Sequence, residues 1–264
     1  MSSDNAIADA DTDPGRADIR DIDTADLRDA LARGYSDFKV QPTHLIFLCT
    51  IYPLVGLFLA RLAAGYEILP VLFPLVAGFA LMGPLAATGL YELSRRREQG
   101  LDLAWWHVFD VLRSPSRSAM MALGLVMAAI FVAWLIAAQS IYLAIFGDWV
   151  PASVREFLDV VFTTSSGWAL IVVGCGVGFI FAVVVLTISV VSLPMLLDRD
   201  VGAVRAVQTS IHAVAANPRT MTIWGFIVAG TLLIGSLPLF VGLAIVLPVL
   251  GHSTWHLYRK VVER

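Results

Sequence analysis

The stretch Pro70–Gly100, PVLFPLVAGFALMGPLAATGLYELSRRREQG, decides the fold. It opens as an apolar run carrying prolines, passes through small residues (Gly78, Gly83, Ala86, Ala87, Gly89), and stops at Glu92 and the triplet Arg95-Arg96-Arg97. About 20 uncharged apolar residues match the hydrocarbon thickness of a bilayer, and arginines clustered at one end mark the cytoplasmic side. The stretch reads as a membrane-crossing helix, and the rest of the chain repeats the pattern.

Of the 264 residues, 58% are hydrophobic and the mean hydropathy is +0.78, well above the roughly 45–50% apolar content of soluble domains. The apolar residues come in bilayer-length blocks, which predicts an all-α fold: a polytopic transmembrane helical bundle with amphipathic surface helices. Six spans are expected, at about 43–63, 69–91, 119–146, 168–197, 219–237 and 239–257, forming one membrane domain over 43–258. The last apolar run would be roughly 57 Å long as one helix, nearly twice the ~30 Å core. Folded at Gly235-Ser236-Leu237-Pro238, it makes two arms.

Charge supports this count. With six spans and a cytoplasmic N-terminus, sixteen of the eighteen cations lie inside, leaving Arg61 and Arg155 outside. Ten acidic residues fall in the first 37 positions. Residues 1–23 read as a disordered acidic tail with little to bury. A juxtamembrane surface helix is expected over 24–42, started by Thr24 and closed by Gly34, with Leu27 and Leu31 facing the membrane. No short apolar core with a cleavage site precedes the first span, so that span is expected to be retained. Residues 259–264 form a cytoplasmic C-terminus.

The linkers carry further helices. DLAWWHVFDVLR (102–113) follows the first arginine cluster. In PASVREFLDVVF (151–162), Val154, Phe157, Leu158, Val161 and Phe162 share one face, predicting a surface helix on the opposite side of the membrane. Val204, Val207, Ile211 and Val214 trace another stripe. Trp105, Trp106, Trp224, Trp255 and Tyr258 are expected in a cytoplasmic aromatic belt, with Tyr66 and Trp149 across the membrane. Two linkers also resemble each other: Arg97, Gly100 and Ala104 recur 102 residues later as Arg199, Gly202 and Ala206, and Pro115 recurs 103 residues later as Pro218. The echo reads either as the trace of a parallel duplication or as the chance recurrence of Gly, Ala and Pro in helix-to-helix linkers.

Few residues point to chemistry. The spans hold no acidic or basic residue at depth, which argues against ion-coupled carriers. His252 and His256, four apart on one helical face, are the candidate cofactor-binding pair, for a metal or for haem; the plainer reading places them at the interface with Trp255. His44 and His107 also fall near span ends. Glu92, Arg95, Arg96 and Arg97, with Trp255 and Arg259, are candidate partner or lipid contacts, although topology anchoring plus pairing along the helix is the plainer reading of the charged cluster. Gly83 with Ala87, and Gly174 with Gly178, suit close helix packing. Cys49 and Cys175 sit in apolar runs as packed thiols. No catalytic constellation and no metal site is read, so no cofactor is predicted beyond the haem alternative.

GFALMGPLAATGLYELSRRREQG (78–100), PVLGHSTWHLYRKVV (248–262) and LARGYSDF (31–38) together resemble a family of bacterial integral membrane proteins, domain of unknown function 2189. The resemblance implies an inner-membrane protein of about six spans and brings no activity with it. Some relatives are labelled as cytochrome c oxidase subunits. The His-Pro-Glu motif of an oxidase core is absent here, which leaves an accessory or haem-binding role as an alternative. The favoured expectation is a non-enzymatic scaffold, assembly or envelope-homeostasis factor; a transporter or channel for a weakly polar solute or lipid is the other. Expected partners are the lipid bilayer, another membrane protein or respiratory complex, or a second copy, and no nucleic acid.

Overall fold

The computed structural model describes residues 18–41, 43, 69–238 and 240–263. The expected first span, with His44, Cys49, Arg61 and Tyr66, lies outside these residues. Helix α1 (Thr24–Val40) is started by Asp23, one residue before the expected cap. The Asp23 carboxylate accepts from the Ala25 and Asp26 amides while Asp26 accepts from the Asp23 amide, a reciprocal capping box. Gly34 does not end the helix. A Cβ at this position would stand 2.1 Å from Ser253 Oγ and 2.5 Å from the Ser253 amide nitrogen. Glycine is present because two helix backbones meet there. Leu27 and Ala30 are buried in the core, so the face expected to lie on lipid rests on protein instead.

The opening stretch is broken into three helices: α2 (Leu69–Leu81), α3 (Gly83–Ala86) and α4 (Thr88–Glu98). Pro84 lacks an amide hydrogen and its ring obstructs the preceding turn, so the helix restarts at α3. Pro74 stays inside α2, where its carbonyl accepts from Trp134 Nε1 at 2.7 Å. A 3-10 helix, Trp105–Arg113, leads to α5 (Arg117–Phe146). At 30 residues, α5 is about 45 Å long. The amphipathic helix α6 (Val154–Thr163) follows, then α7 (Ser165–Ser189) and α8 (Ser192–Asp198). The break between α7 and α8 is re-satisfied by Ser210, whose Oγ accepts from the Val191 amide at 3.2 Å and donates to the Thr187 carbonyl at 2.7 Å. Ser210 belongs to α9 (Ala203–Ala216); α10 (Pro218–Ser236) and α11 (Leu243–Val261) complete the chain. These last two are the arms of a hairpin, packed on each other, as the Gly-Ser-Leu-Pro turn requires.

Among the described residues three helical segments are long and apolar enough to cross a membrane: Arg117–Phe146, Ser165–Asp198 and Pro218–Ser236. A shorter apolar helix spans Leu72–Leu81. The most apolar window of Ser165–Asp198 is only 6% buried within the chain, with Val172, Phe179 and Ile180 facing outward. Such a surface is stable only where the solvent is hydrocarbon. Helix α11 differs from the expected sixth span, because its second half is polar and enclosed by protein: His252, Ser253, His256 and Tyr258 are all buried. The expected belt is likewise corrected. Trp224, Trp255 and Tyr258 are core residues, whereas Trp105 and Trp106 face outward.

The 102-residue echo has a structural counterpart. Gly100 (φ 66°) and Gly202 (φ 77°) both adopt the left-handed region that glycine accepts without strain, each just after a short buried helix, α4 or α8. Each is followed by a surface helix packed back on that short helix: the 3-10 helix on α4, and α9 on α8. Along α11 packs α1, a helix from the other end of the described residues. The ends α4, α8 and α11 touch one another at the centre. The circle is closed by an antiparallel bridge between Ile19 and Val262. The Glu263 amide donates to the Asp18 carbonyl at 3.0 Å and the Arg20 amide to that of Val261 at 2.8 Å. Asn217 accepts from the Ile22 amide and donates to the Arg20 carbonyl, and Thr220 donates to that of Ile22. Residues 18–23, expected within the disordered tail, are strapped to the bundle.

Candidate functional site

Asp37, near the end of α1, is only 5% exposed. A carboxylate so placed needs donors, and the neighbouring helices supply them. From α4, Ser94 Oγ donates to Asp37 Oδ2 at 2.5 Å, and the Arg97 guanidinium pairs with Oδ1 while reaching Ser36 Oγ at 3.2 Å. From α11, His256 Nε2 donates to Oδ2 at 2.8 Å. Burial pushes the Asp37 carboxyl up, but the hydrogen bonds from His256 and Ser94 outweigh it and hold the group below its ordinary value. His252 Nδ1 lies 2.8 Å from Ser94 Oγ. The one hydroxyl hydrogen of Ser94 is directed to the carboxylate, so His252 must donate through Nδ1. Its other ring nitrogen, Nε2, is buried.

A second group adjoins the first. Arg259 on α11 bridges Glu98 of α4 (3.3 Å) and Asp198 of α8 (3.2 Å), and Tyr258 Oη donates to Asp198 at 2.7 Å. Each of the three central ends thus contributes one charge to a single hub. His256 Nδ1 lies 3.7 Å from Glu98, joining hub and clasp. On the outer side of α4, Glu92 is buried and takes Arg95 bidentately at 2.8 and 2.9 Å. Arg96 turns to the 3-10 helix, donating to the Asp102 carbonyl at 2.8 Å and pairing with Asp110 at 3.3 Å. His107 sits between Asp110 (2.5 Å) and Asp102 (3.0 Å). Hydrogen bonds to Asp110 and then Asp102 raise its pKa.

The candidates from sequence are thereby redistributed. His252 and His256 do share a face, but their partners are Ser94 and Asp37 rather than head groups. A Cβ on Gly251 would come within 2.5 Å of Leu90 Cδ1, so α4 and α11 are in contact beside His252. Among the described residues no group of three or more His, Cys, Asp or Glu side chains has the geometry of a metal site. Glu92, Arg95, Arg96, Arg97 and Arg259 pair within the chain, and Trp255, without exposed surface, is a packing residue rather than a lipid contact. Gly178 packs against the Trp134 ring and Ala87 is buried, whereas Gly83 and Gly174 face open space. Cys175 is exposed on α7.

Asp37, Ser94, Glu98 and Asp198 were not singled out from sequence. A signal was present, because the three stretches that carry the family resemblance each contribute to the clasp: Ser36 and Asp37 from 31–38, Ser94 and Arg97 from 78–100, His252 and His256 from 248–262. Long apolar helices with outward hydrocarbon surfaces, gathered on a paired polar hub, define an all-helical integral membrane protein. Residues 72–198 match the model of one such family, described as predicted integral membrane protein (DUF2189). The match agrees with the resemblance drawn from 78–100 and does not extend to the other two stretches. No curated protein and no solved structure matches the chain.

Proposed function

We propose that the protein is a scaffold or assembly factor of a bacterial inner membrane, with six spans and both termini in the cytoplasm. The supporting observation is that polar groups from α1, α4, α8 and α11 are spent on one another. A carrier or an enzyme directs such groups into a cavity where a ligand meets them. Here they lock the ends of successive membrane segments into one rigid hub and leave the apolar flanks of α5 and α7 outward. That arrangement suits a platform for other membrane proteins or for a second copy. Native mass spectrometry of the protein, gently extracted from its own membranes, tests this. A membrane-protein partner, or a dimer, in fixed stoichiometry is expected; a lone chain carrying one defined solute would overturn it.

The second reading, movement of a weakly polar solute or lipid, draws on the breaks at Met82–Ala87 and Val190–Val191. Interrupted helices are tolerated in membranes where they line a cavity or are re-satisfied by protein. The Ser210 bridge at the second break is re-satisfaction by protein, which favours the scaffold.

A further inference from the structure

The 3-10 helix Trp105–Arg113 is inside out. Its polar residues His107 and Asp110 turn inward to Arg96 of α4. Trp105, Trp106, Phe109 and Leu112 are each more than half exposed. On a water-facing linker this polarity would be reversed, because large apolar side chains left in water forfeit the free energy of burial. Arg113 adds an 87% exposed guanidinium beside the apolar face. One residue after the following turn, α5 enters the membrane.

We infer that this face is embedded in the head-group layer of the leaflet on the side of the chain termini, as an interfacial anchor. Tryptophans favour that layer because the ring is apolar and the indole N–H is polar. Phe109 and Leu112 reach the upper acyl chains, and Arg113 meets phosphates. The occupant is phospholipid rather than protein because the 3-10 helix leads within three residues into α5, which is long and apolar enough to cross a membrane. The related linker behaves alike: α9 buries Ala206, Thr209, Ser210 and Ala213 and turns Val204 and Ile211 outward. The anchor does not depend on the scaffold reading. Its pairing through Arg96 ties the interfacial depth of the linker to α4, and through Arg97 and Ser94 to the clasp.

The test uses the full chain in nanodiscs of phosphatidylcholine and phosphatidylglycerol carrying brominated acyl chains. The difference in fluorescence between the natural chain and the W105F/W106F variant isolates these two rings. That difference is expected to fall about twofold or more with brominated lipid and to change little with aqueous acrylamide. Quenching by acrylamide and not by brominated lipid would overturn the inference. So would protection from both quenchers, which would place a protein on the face. Spin labels on F109C and L112C, in a chain with Cys49 and Cys175 replaced by Ser, give a second reading that leaves the tryptophans intact. Oxygen should collide with them more often than an aqueous nickel chelate; the opposite order would equally overturn the anchor.

Discussion

A carboxylate under protein cover survives only among donors, and Asp37 has three: Ser94, Arg97 and His256. Asp37→Asn removes the charge that Arg97 and His256 answer. It should cost about 1.5–3 kcal/mol, nearer the lower figure because the Arg97 side chain keeps 35% of its surface in water. Thermal unfolding in detergent measures this, and an unchanged midpoint would show that the clasp holds nothing. The pH dependence has a definite sign. The folded pKa of Asp37 lies below the ordinary carboxylate value, so its contribution is complete above that value and fades as pH falls through the lower, folded one. Gly34 makes a steric counterpart. Gly34→Val drives a side chain into the Ser253 backbone, and an overpacked contact of this kind costs about 1–3 kcal/mol. Because the clash separates α1 from α11, protease sensitivity near residue 40 should rise together with the loss of stability. Stability lost without that sensitivity would mean that the helices move elsewhere.

At the scale of elements, the parts legible in sequence were those written in local pattern. The apolar runs of α5, α7 and α10, the surface helix α6 and the turn between α10 and α11 follow from periodicity, length and turn chemistry. The histidines of α11 read as interfacial from sequence and Asp37 of α1 draws no notice there, since a polar side chain beside an apolar run cannot be placed until its cross-chain partner is known. Asp37 and His256 are 219 positions apart, and no spacing rule reaches that far. Trp255, expected at the interface, is instead fully buried. His107 shows a local cluster with a testable consequence. Its pairing with Asp110 and Asp102 raises its pKa, so the stabilisation of the 3-10 helix is complete below the ordinary histidine value and is lost as pH rises through the raised one. Hydrogen exchange over 102–113 should therefore quicken on alkalinisation across that window in the natural chain. In His107→Gln it should be fast throughout and insensitive to pH there. A natural chain whose exchange, corrected for the intrinsic rate, did not change would remove His107 from the latch.

Over the whole molecule the arrangement is cyclic in the order of its parts. Each helix that ends at the hub, α4, α8 or α11, has a surface helix packed on it, and among the described residues the one on α11 comes from the other end of the chain. Strapped termini, Asp18 beside Glu263 and Ile19 beside Val262, make the break in the circle a matter of where the chain begins. The hub should then tolerate a different opening. A circular permutant that joins residue 263 to residue 18 through a short flexible linker, and opens between Val201 and Gly202, keeps every described helix intact. It turns the α8–α9 connection into termini on the same side as the natural ones. Opening there sacrifices the short connection that holds α9 on α8, while joining the old ends lowers the entropy cost of docking α1 on α11. The permutant should insert and purify as a folded bundle with a midpoint within a few degrees of the natural chain. A control opened within α11, between His252 and Ser253, should not fold, because it cuts the helix that carries the clasp. If both permutants failed alike, the order of synthesis would matter more than the closed ring, and α1 would have to be present before the hub forms.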